Sequence, residues 1–319
     1  MSIGKDDRLF DICASFERMA GAPLLFRPPP EWAAAAHAIV VGDTVHYLWG
    51  RRKEGNYWVL MHSTAPAHNP TAVSHDLRNP VLLPSYTGFD NYTAEYPFPF
   101  RNPANDRYYA YYLGRRRRVP KQTGLLVSDG DFGHWTRVVA EPVIAADAPH
   151  ERDGSSHPSV VVHDDLIHIV YTGESEGLPA MCHATAPVDD PATVTKNPVN
   201  PVFRGSGQGW DSRGVREAEL FRGEAFFHIL YGGFDGHVWR IGHVRTQDFR
   251  TFEPNPANPV FEPPDDSAAW DCGGILTPQV FVSNGRHYLL YAGHKGGEWQ
   301  SGLARATMGW DPDAQVDSP

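Results

Sequence analysis

Short apolar runs separated by polar turns follow one another along most of the chain. A characteristic segment has two such runs around a turn and ends in an aromatic residue followed closely by glycine. Examples are SVVVHDDLIHIVYTG (159–173), ELFRGEAFFHILYGG (219–233) and QVFVSNGRHYLLYAG (279–293). Apolar, β-branched and aromatic runs around tight turns such as Asn284-Gly285 are typical of β-hairpins. The pattern therefore predicts an all-β protein.

A proline followed by two or three apolar residues recurs at nearly constant spacing. The copies begin at Pro23, Pro80, Pro142, Pro201 and Pro259, so the intervals are 57, 62, 59 and 58 residues. A regular period of this length indicates an array of similar supersecondary units. Each unit contains four predicted strands, which favours a five-bladed β-propeller with four-stranded antiparallel blades. The blades are predicted to start near residues 32, 89, 152, 210 and 270.

The ends of the chain complete this domain assignment. Residues 1–22 are interpreted as an N-terminal extension, with a short amphipathic helix over residues 6–20 outside the ring. Residues 23–319 are interpreted as a single propeller domain. Its fifth blade runs out after the third strand, so the segment near residues 23–26 or the C-terminal tail is expected to close the ring.

Composition limits the classes of function. Hydrophobic residues make up 41% of the chain and charged residues 21%, which is enough apolar material for a folded core. The net charge of -10 argues against a nucleic-acid-binding surface. Three cysteines form no paired spacing, and no HExxH or Cys/His motif occurs, so neither a disulfide framework nor a metal or other cofactor is expected. Without a signal-like or membrane-spanning apolar stretch, we expect a cytoplasmic protein with no membrane partner.

Propeller geometry predicts where chemistry can be placed. The inner strands begin around one central channel, so their first residues are expected to share a pocket on one face. When the blades are aligned on their terminal aromatic residue, the position at the pocket end is Ala35, His157, Glu217 or Thr277 in four blades. In the second blade, the equivalent residue is Glu95 or Tyr96.

These features resemble the five-bladed propeller glycosidases, a superfamily that includes glycoside hydrolase families 43, 32 and 130. The resemblance rests on WDSRGVREAEL with FFHILYGG, on SDGDFGHW and TQDFRTF, and on the NPVF links. It implies a general-acid Glu at position 217. The relatives' orienting Asp in blade 3 is replaced by His157, and their base Asp in blade 1 has only alanines, including Ala35, at the equivalent place.

Glycoside hydrolysis requires one protonated and one ionised carboxyl around the bond. Glu217 is the candidate general acid, and Glu219, two residues along the same strand, is expected on the same face, where repulsion would keep a proton on one of the pair. Asp90 and Glu95 are candidates for the second carboxylate. His157 is a candidate proton carrier or substrate donor. The alternatives are a glutamate pair that only binds a neighbouring arginine such as Arg216, and a hydrogen-bonded core histidine.

An aromatic residue followed by Asp opens several units. The pairs are Phe89-Asp90, Trp210-Asp211 and Trp270-Asp271, with Arg152-Asp153 as a weaker copy. Because the same residue type recurs, these aspartates are expected to cap their loops through backbone NH groups. The alternative is that Asp153, Asp211, Asp271 and Trp210 contact a substrate.

Basic loops are predicted on the same face. Arg51, Arg115 and Arg116 follow second strands, as does His294, and they would attract an anion. Arg216 and His37 are further candidate substrate contacts near the inner strands. The alternative is that the basic loops are solvated and paired with nearby acids.

These residues favour an enzyme that cleaves a glycosidic bond in a small anionic saccharide or glycoside. A phosphorylase of the same fold is an alternative, because phosphate would replace the missing base carboxylate of blade 1. Two further alternatives fit a first blade that lacks the base carboxylate. One is a carbohydrate-binding propeller without activity, and the other is a propeller recruited to non-hydrolytic small-molecule chemistry.

Overall fold

The computed structural model describes residues 5–19, 21–27, 31–53 and 57–308. These residues form one α-helix, α1 (Lys5–Cys13), two 3-10 turns, η1 (Pro149–Glu151) and η2 (Gly209–Asp211), and twenty β-strands. The prediction of an all-β protein with one short helix is confirmed. Within the described ranges, no helix is long and apolar enough to cross a membrane.

The strands form five consecutive antiparallel units. Unit 1 contains β2 (Trp32–Val41), β3 (Thr44–Lys53), β4 (Tyr57–Pro66) and β5 (Ser74–His75). Unit 2 contains β6 (Thr93–Arg101), β7 (Tyr108–Arg115), β8 (Gln122–Ser128) and β9 (Thr136–Arg137). Unit 3 contains β10 (Gly154–His163), β11 (Leu166–Ser175), β12 (Leu178–Pro187) and β13 (Thr195–Lys196). Unit 4 contains β14 (Gly214–Arg222), β15 (Phe227–Phe234), β16 (Trp239–Thr246) and β17 (Glu253–Pro254).

Unit 5 is completed by the N-terminal part of the chain. It contains β18 (Gly274–Ser283), β19 (Arg286–Lys295) and β20 (Glu298–Ala306), and β1 (Phe16–Arg18) pairs antiparallel with β20. The fourth strand therefore comes from within residues 1–22, the segment interpreted as an extension. The C-terminal tail from residue 309 lies outside the described residues.

The repeated proline phrase has one structural role in all five copies. An apolar residue of each copy forms a β-bridge with the third strand of a unit. The bridges are Leu82 to Leu60, Ile144 to Thr123, Phe203 to Met181, Phe261 to Ile241 and Leu25 to Ser301. The first copy in the chain thus belongs to the last unit, as expected for closure by the segment near residues 23–26.

The first strands of the units contact one another in a closed cycle, β2 to β6, β10, β14, β18 and back to β2. Side chains link neighbours in this cycle through backbone groups. The Gln279 amide bonds both backbone groups of Ala38, with its Nε2 2.9 Å from the Ala38 carbonyl oxygen. Ser159 Oγ accepts the Leu220 NH at 2.8 Å. These contacts keep the starting ends of the inner strands together.

The N-terminal helix is shorter than the predicted 6–20 because the chain turns into β1 at Phe16; residue 20 lies outside the described residues. Apolar residues of α1, including Leu9 and Ile12, pack into the core cluster formed by units 4 and 5. Asp6 also contacts the buried His228 Nε2 at 3.0 Å. The helix is therefore fixed on the outside of the sheets, as predicted.

Glycines in the third strands make room for the large aromatic residues of the aromatic-Asp pairs. In unit 4, a Cβ at Gly242 would lie 2.2 Å from Trp210 Cη2. In unit 5, a Cβ at Gly302 would lie 2.6 Å from Trp270 Cζ2. Because a methyl group cannot occupy this space, the aromatic ring and the glycine depend on each other.

We expect Gly242→Ala to lower the free energy of unfolding by roughly 1–3 kcal/mol, since overpacking forces the Trp210 ring or the strand to move. Chemical denaturation followed by circular dichroism measures the change. Gly21→Ala is the control, because a Cβ at Gly21 meets nothing within 4 Å. Equal stability of the two variants would contradict this packing argument.

Candidate active site

The five aligned positions at the pocket end of the inner strands share an unusual backbone conformation. Each is a non-glycine residue in the left-handed region, located where the pairing with the second strand shifts register. The φ values are 54° at Ala35, 53° at Tyr96, 55° at His157, 53° at Glu217 and 56° at Thr277. Tyr96, not Glu95, is therefore the equivalent residue in unit 2. Such strain in non-glycine residues clusters at functional sites.

All five residues line one cavity of about 430 Å³. Eighteen residues form its wall, and every unit contributes at least one of them. None of the eighteen lies in the outermost strand of a unit. A second cavity, of about 670 Å³, lies near the opposite ends of the inner strands and is lined by Val40, Val161 and other residues. Its only charged lining residues are the mutually paired Arg101 and Asp106. Of these two cavities, the one of about 430 Å³ therefore contains most of the ionisable side chains.

Glu217 is held by three neighbours. The Thr277 hydroxyl donates to Oε2 at 2.8 Å. Arg216 Nε lies 3.0 Å from Oε1, and His157 Nε2 lies 3.3 Å from the same oxygen. The guanidinium and the hydroxyl together fix the orientation of this nearly buried carboxyl.

His157 is a neutral side chain between the inner strands of units 2 and 4. Burial, reinforced by the positive charges of Arg216 and Lys121, lowers its pKa well below the usual value. A neutral imidazole has one donor and one acceptor nitrogen. Nδ1 lies 2.8 Å from the Ser156 hydroxyl, and Nε2 faces the Glu217 carboxylate. A donating Nε2 and an accepting Nδ1 satisfy both contacts.

Glu95 differs from Glu217 in its protonation. Burial raises the pKa of the Glu95 carboxyl to about 8, although the positive charges of Lys121 and Arg115 oppose the shift. The negative charge of Glu217 adds to the increase. At neutral pH the cavity therefore contains a protonated carboxyl and an ion-paired carboxylate.

Positive side chains exceed carboxylates around the cavity. Lys121 Nζ pairs with Glu174 at 3.0 Å, and Arg216 contacts both Glu174, at 3.3 Å, and Glu217. Arg115 also lines the cavity, and its buried Nε has no hydrogen-bond partner. With Glu95 neutral, three cations face two carboxylates on this side. The surplus attracts an anionic group.

Glu219 lies outside the cavity lining, against the expectation that it shares a face with Glu217. The register shift between Arg216 and Glu219 breaks the two-residue alternation of the strand. Glu219 instead accepts a hydrogen bond from the backbone of Val280 in the next inner strand, and burial raises its pKa well above the usual value. It belongs to the same layer of inter-strand links as Ser159 and Gln279.

His37 occupies the corresponding layer in unit 1 and is also outside the cavity lining. Its ring makes an edge contact with Tyr96, with centroids 4.8 Å apart. Burial lowers the pKa of His37 to about 3, so the imidazole is neutral. The Tyr96 hydroxyl above it is buried without a hydrogen-bond partner.

The aromatic-Asp pairs hold tyrosines at the ends of the second strands, away from the cavity lining. Asp90, Asp211 and Asp271 each accept a hydrogen bond from a tyrosine hydroxyl; the donors are Tyr112 at 2.8 Å, Tyr231 at 3.1 Å and Tyr291 at 2.9 Å. Asp211 also accepts the Ser206 NH, a backbone contact of the kind expected. The Trp210 ring stacks on Tyr231.

In unit 3 the equivalent carboxyl is Glu151, because it accepts the Tyr171 hydroxyl at 2.8 Å. Asp153, taken from the sequence as the weaker copy, is exposed and accepts the Gly177 NH at 3.4 Å. Glu151 stands 20 residues before Tyr171, which is the spacing of Asp211 to Tyr231 and of Asp271 to Tyr291.

Among the predicted anion-binding residues, only Arg115 and Arg216 line the cavity. Arg51 donates to both oxygens of Glu31, at 2.8 and 2.9 Å. Arg116 is exposed and donates to the Gly88 carbonyl. His294 packs behind Trp299, with centroids 4.3 Å apart.

The sequence analysis missed four cavity residues that share one repeat position. Trp58, Lys121, Trp239 and Trp299 each stand two residues before the third-strand residue that forms the bridge to the proline phrase. Aligning the third strands as well as the inner strands would have identified this position. Trp32 and Arg52, at the starting end of unit 1, were also missed.

One group among the described residues has suitable atoms for a metal, and it lies outside the cavity. The ligand atoms of His150, Glu151 and Cys182 lie within 4.8 Å of one another. However, Lys196 Nζ lies 2.6 Å from Glu151 Oε2, and Tyr171 already donates to Oε1. The ammonium thus supplies the positive charge that the buried carboxylate requires.

Comparisons with known proteins identify the fold. No protein-family model and no curated protein sequence matches the chain. A complex of BT0996 with RGII is 14% identical, covers 100% of both sequences and has a TM-score of 0.74. A structure representing the GH130 family of mannoside phosphorylases, which contains hydrolases that target β-1,2 mannosidic linkages in Candida mannan, is 15% identical over 93% of this chain and 96% of that chain, with a TM-score of 0.74.

The catalytic domain of the Coprinopsis cinerea GH62 α-L-arabinofuranosidase is 12% identical, covers 92% of this chain and 98% of that chain, and has a TM-score of 0.66. The chain shares the fold of the propeller glycosidases. The resemblance predicted from the sequence is confirmed at the level of the fold.

The protonation of Glu95 has a measurable effect on stability. Its pKa of about 8 in the folded protein exceeds the ordinary value of 4.5, so its contribution to stability is complete below pH 4.5 and is lost as pH rises through 8. We expect Glu95→Gln to become more stable relative to the unsubstituted protein between pH 6 and pH 9, by at most about 3 kcal/mol.

Urea denaturation at both pH values measures this difference. The exposed Glu141→Gln variant is the control and should show no such relative gain. An equal pH dependence in the unsubstituted protein and both variants would mean that Glu95 is ionised at neutral pH.

Proposed function

We propose that the five units are the blades of a five-bladed β-propeller and that the cavity is the active site of an enzyme that cleaves a glycosidic bond in a small anionic saccharide or glycoside. The closed cycle of inner strands and the likeness to glycoside hydrolase folds support this proposal. The observation that carries it is the coexistence of the neutral Glu95 and the ion-paired Glu217 in one cavity.

The two carboxyls meet the requirement of glycosidic cleavage for one acid and one anion. Glu95 donates its proton to the leaving oxygen as the glycosidic bond breaks. The Glu217 carboxylate stabilises the positive charge that develops at the anomeric carbon, or activates the attacking water. This assignment reverses the role that resemblance implies for Glu217, because burial raises the pKa of Glu95 whereas Glu217 contacts the Arg216 guanidinium directly.

His157 and Thr277 are positioning residues in this mechanism. Both contact Glu217, and the hydrogen bond from Ser156 keeps the His157 ring in place. The Tyr96 hydroxyl and Arg115 Nε have unused hydrogen-bonding capacity for a substrate. Arg115, Lys121 and Arg216 would bind its anionic group.

Phosphorolysis is the second candidate reaction, and the cavity's unit 1 wall supports it. Ala34 and Ala35 provide no carboxyl there, whereas inorganic phosphate would bring its own nucleophilic oxygen. The surplus of positive charge around Arg115, Lys121 and Arg216 suits phosphate as well as a sugar carboxylate.

The predicted cytoplasmic location agrees with three unpaired cysteines.

We expect kcat/KM for an accepted glycoside to fall as pH rises through about 8, because the pKa of Glu95 requires the acid to lose its proton there. Glu95→Gln should lower kcat/KM by about 10²- to 10⁴-fold and abolish this alkaline decrease. Glu217→Gln should lower kcat/KM by a similar factor, and its residual activity should keep the decrease.

A panel of chromogenic uronides and sugar phosphates, assayed with and without inorganic phosphate, provides the measurement. Glu141→Gln is the matched control and should retain full activity. If the alkaline decrease disappears in Glu217→Gln and persists in Glu95→Gln, Glu217 carries the proton. Saccharide binding without turnover in the unsubstituted protein would identify a non-catalytic carbohydrate-binding propeller.

A further inference from the structure

The cavity wall is chemically divided between the units. Units 2, 3 and 4 supply most of its ionisable side chains, around Glu95, His157 and Glu217. Units 1 and 5 supply an apolar surface, which we call the tryptophan wall; Arg52 of unit 1 lies beside it, with its guanidinium carbon 3.9 Å from the centroid of the Trp32 ring. The tryptophan wall consists of Trp32, Ala34, Trp58, Ala292 and Trp299.

The tryptophan wall is a packed surface with its partly exposed rings at the cavity. Ala34, Trp58 and Ala292 form a buried cluster, and Trp32 and Trp299 pack against it. Trp32 and Trp58 meet edge to face, with centroids 5.9 Å apart. The rings are therefore held in fixed positions before any ligand binds.

This wall offers few hydrogen-bond partners to sugar hydroxyls. Each hydroxyl removed from water requires a hydrogen-bond partner, and an unpaired one costs about 1–3 kcal/mol. Alanine side chains provide no partner, and tryptophan provides only its indole NH. A flat or aliphatic group without hydroxyls would instead gain about 25 cal/mol for each Å² of apolar surface buried.

Unit 1 departs from the other units at Ala34, which belongs to the tryptophan wall, and at the following residue, Ala35. Ala34 corresponds to Glu95, Ser156, Arg216 and Leu276 in pairing register, and Ala35 corresponds to Tyr96, His157, Glu217 and Thr277. The small side chains leave space between the tryptophans and the charged residues. The missing base carboxylate of blade 1 is thus replaced by an apolar surface.

We propose, on the basis of the proposed function, that the substrate is an amphiphilic glycoside: its anionic sugar lies against Arg115, Lys121 and Arg216, and a hydroxyl-free aromatic or aliphatic aglycone lies against the tryptophan wall. The glycosidic oxygen then lies between the two halves, close to Glu95 and Glu217. Cleavage transfers the Glu95 proton to this oxygen and releases the aglycone as an alcohol or phenol, while the oxygen of a water molecule bonds to the anomeric carbon and the proton that this water loses balances the one that Glu95 donated.

Calorimetric titration tests whether the cavity has a cationic half and an apolar half, with probes that contain no sugar. The probes are 2-naphthyl phosphate, methyl phosphate and 2-naphthol, with 2-naphthoate as the carboxylate counterpart. We expect a naphthyl anion, phosphate or carboxylate, to bind at least about tenfold more tightly than methyl phosphate or 2-naphthol, because only it uses both halves. Equal affinity for 2-naphthyl phosphate and methyl phosphate, or no binding of either naphthyl anion, would overturn the proposal.

Variants of the two halves should have crossed effects: a substitution in the tryptophan wall should weaken binding of the naphthyl group, and a substitution among the cations should weaken binding of the anionic group. Trp299→Ala should weaken the naphthyl anion by about tenfold and leave methyl phosphate unchanged. Arg115→Gln should weaken both anions and leave 2-naphthol unchanged. Trp58→Leu retains an apolar side chain at a buried position and serves as the second wall variant if Trp299→Ala fails to fold. Tyr86→Ala, which removes an exposed aromatic ring that is absent from the cavity lining, is the control and should change nothing.

The result separates this inference from the proposed function. Crossed effects without turnover of any glycoside would support the divided cavity and contradict the glycosidase. Turnover of glycosides with no preference for an aryl or alkyl aglycone, together with uncrossed effects, would contradict the divided cavity alone.

Discussion

The site depends on a backbone constraint that recurs five times. In each inner strand, one non-glycine residue adopts a left-handed conformation at a register shift, and its side chain leaves the regular alternation of the strand to line the cavity. The left-handed conformation costs about 1–2 kcal/mol for an L-residue. Hydrogen bonds just beyond the shift, such as those of Ser159 and Gln279 to the next strand, stabilise the strands that contain it. Without this arrangement, Glu217 and Thr277 would not meet.

Electrostatic differences within the cavity follow from the positions of individual cations. Glu95 and Glu217 are carboxyls in the same cavity, but only Glu217 contacts a guanidinium directly. Burial raises the pKa of Glu95 and keeps it protonated, whereas the Glu217 carboxylate lies 3.0 Å from Arg216 Nε. The protein thus prepares an acid and an anion without a change of residue type. Preorganised charges of this kind require little reorganisation when a reaction occurs.

Positions that recur in the units support the framework, whereas the variable position in the inner strands lines the cavity. Asp90, Asp211 and Asp271 hold tyrosines in three units, and Glu151 does so in the fourth. These carboxyls recur because they hold the second strand in four of the five units, and for that reason they are poor indicators of a reaction. The inner-strand position instead carries a different side chain in each unit. Divergence at this position of a repeated frame marks the cavity.

The amino-acid sequence by itself determined the β-rich class, the five-fold period and the alignment that brings His157, Glu217 and Thr277 together, because periodic patterns report strand geometry directly. It left the closure of unit 5 open between the segment near residues 23–26 and the C-terminal tail, and the structure pairs β1 and Leu25 with β20. Only the tertiary structure decided that Glu219 leaves the cavity, that Arg51 pairs with Glu31, and that Trp58, Lys121 and Trp299 line the site. A single bulge reverses the direction of a side chain, and burial or an adjacent guanidinium decides the charge of a carboxyl. Both effects arise from neighbours that are distant along the chain.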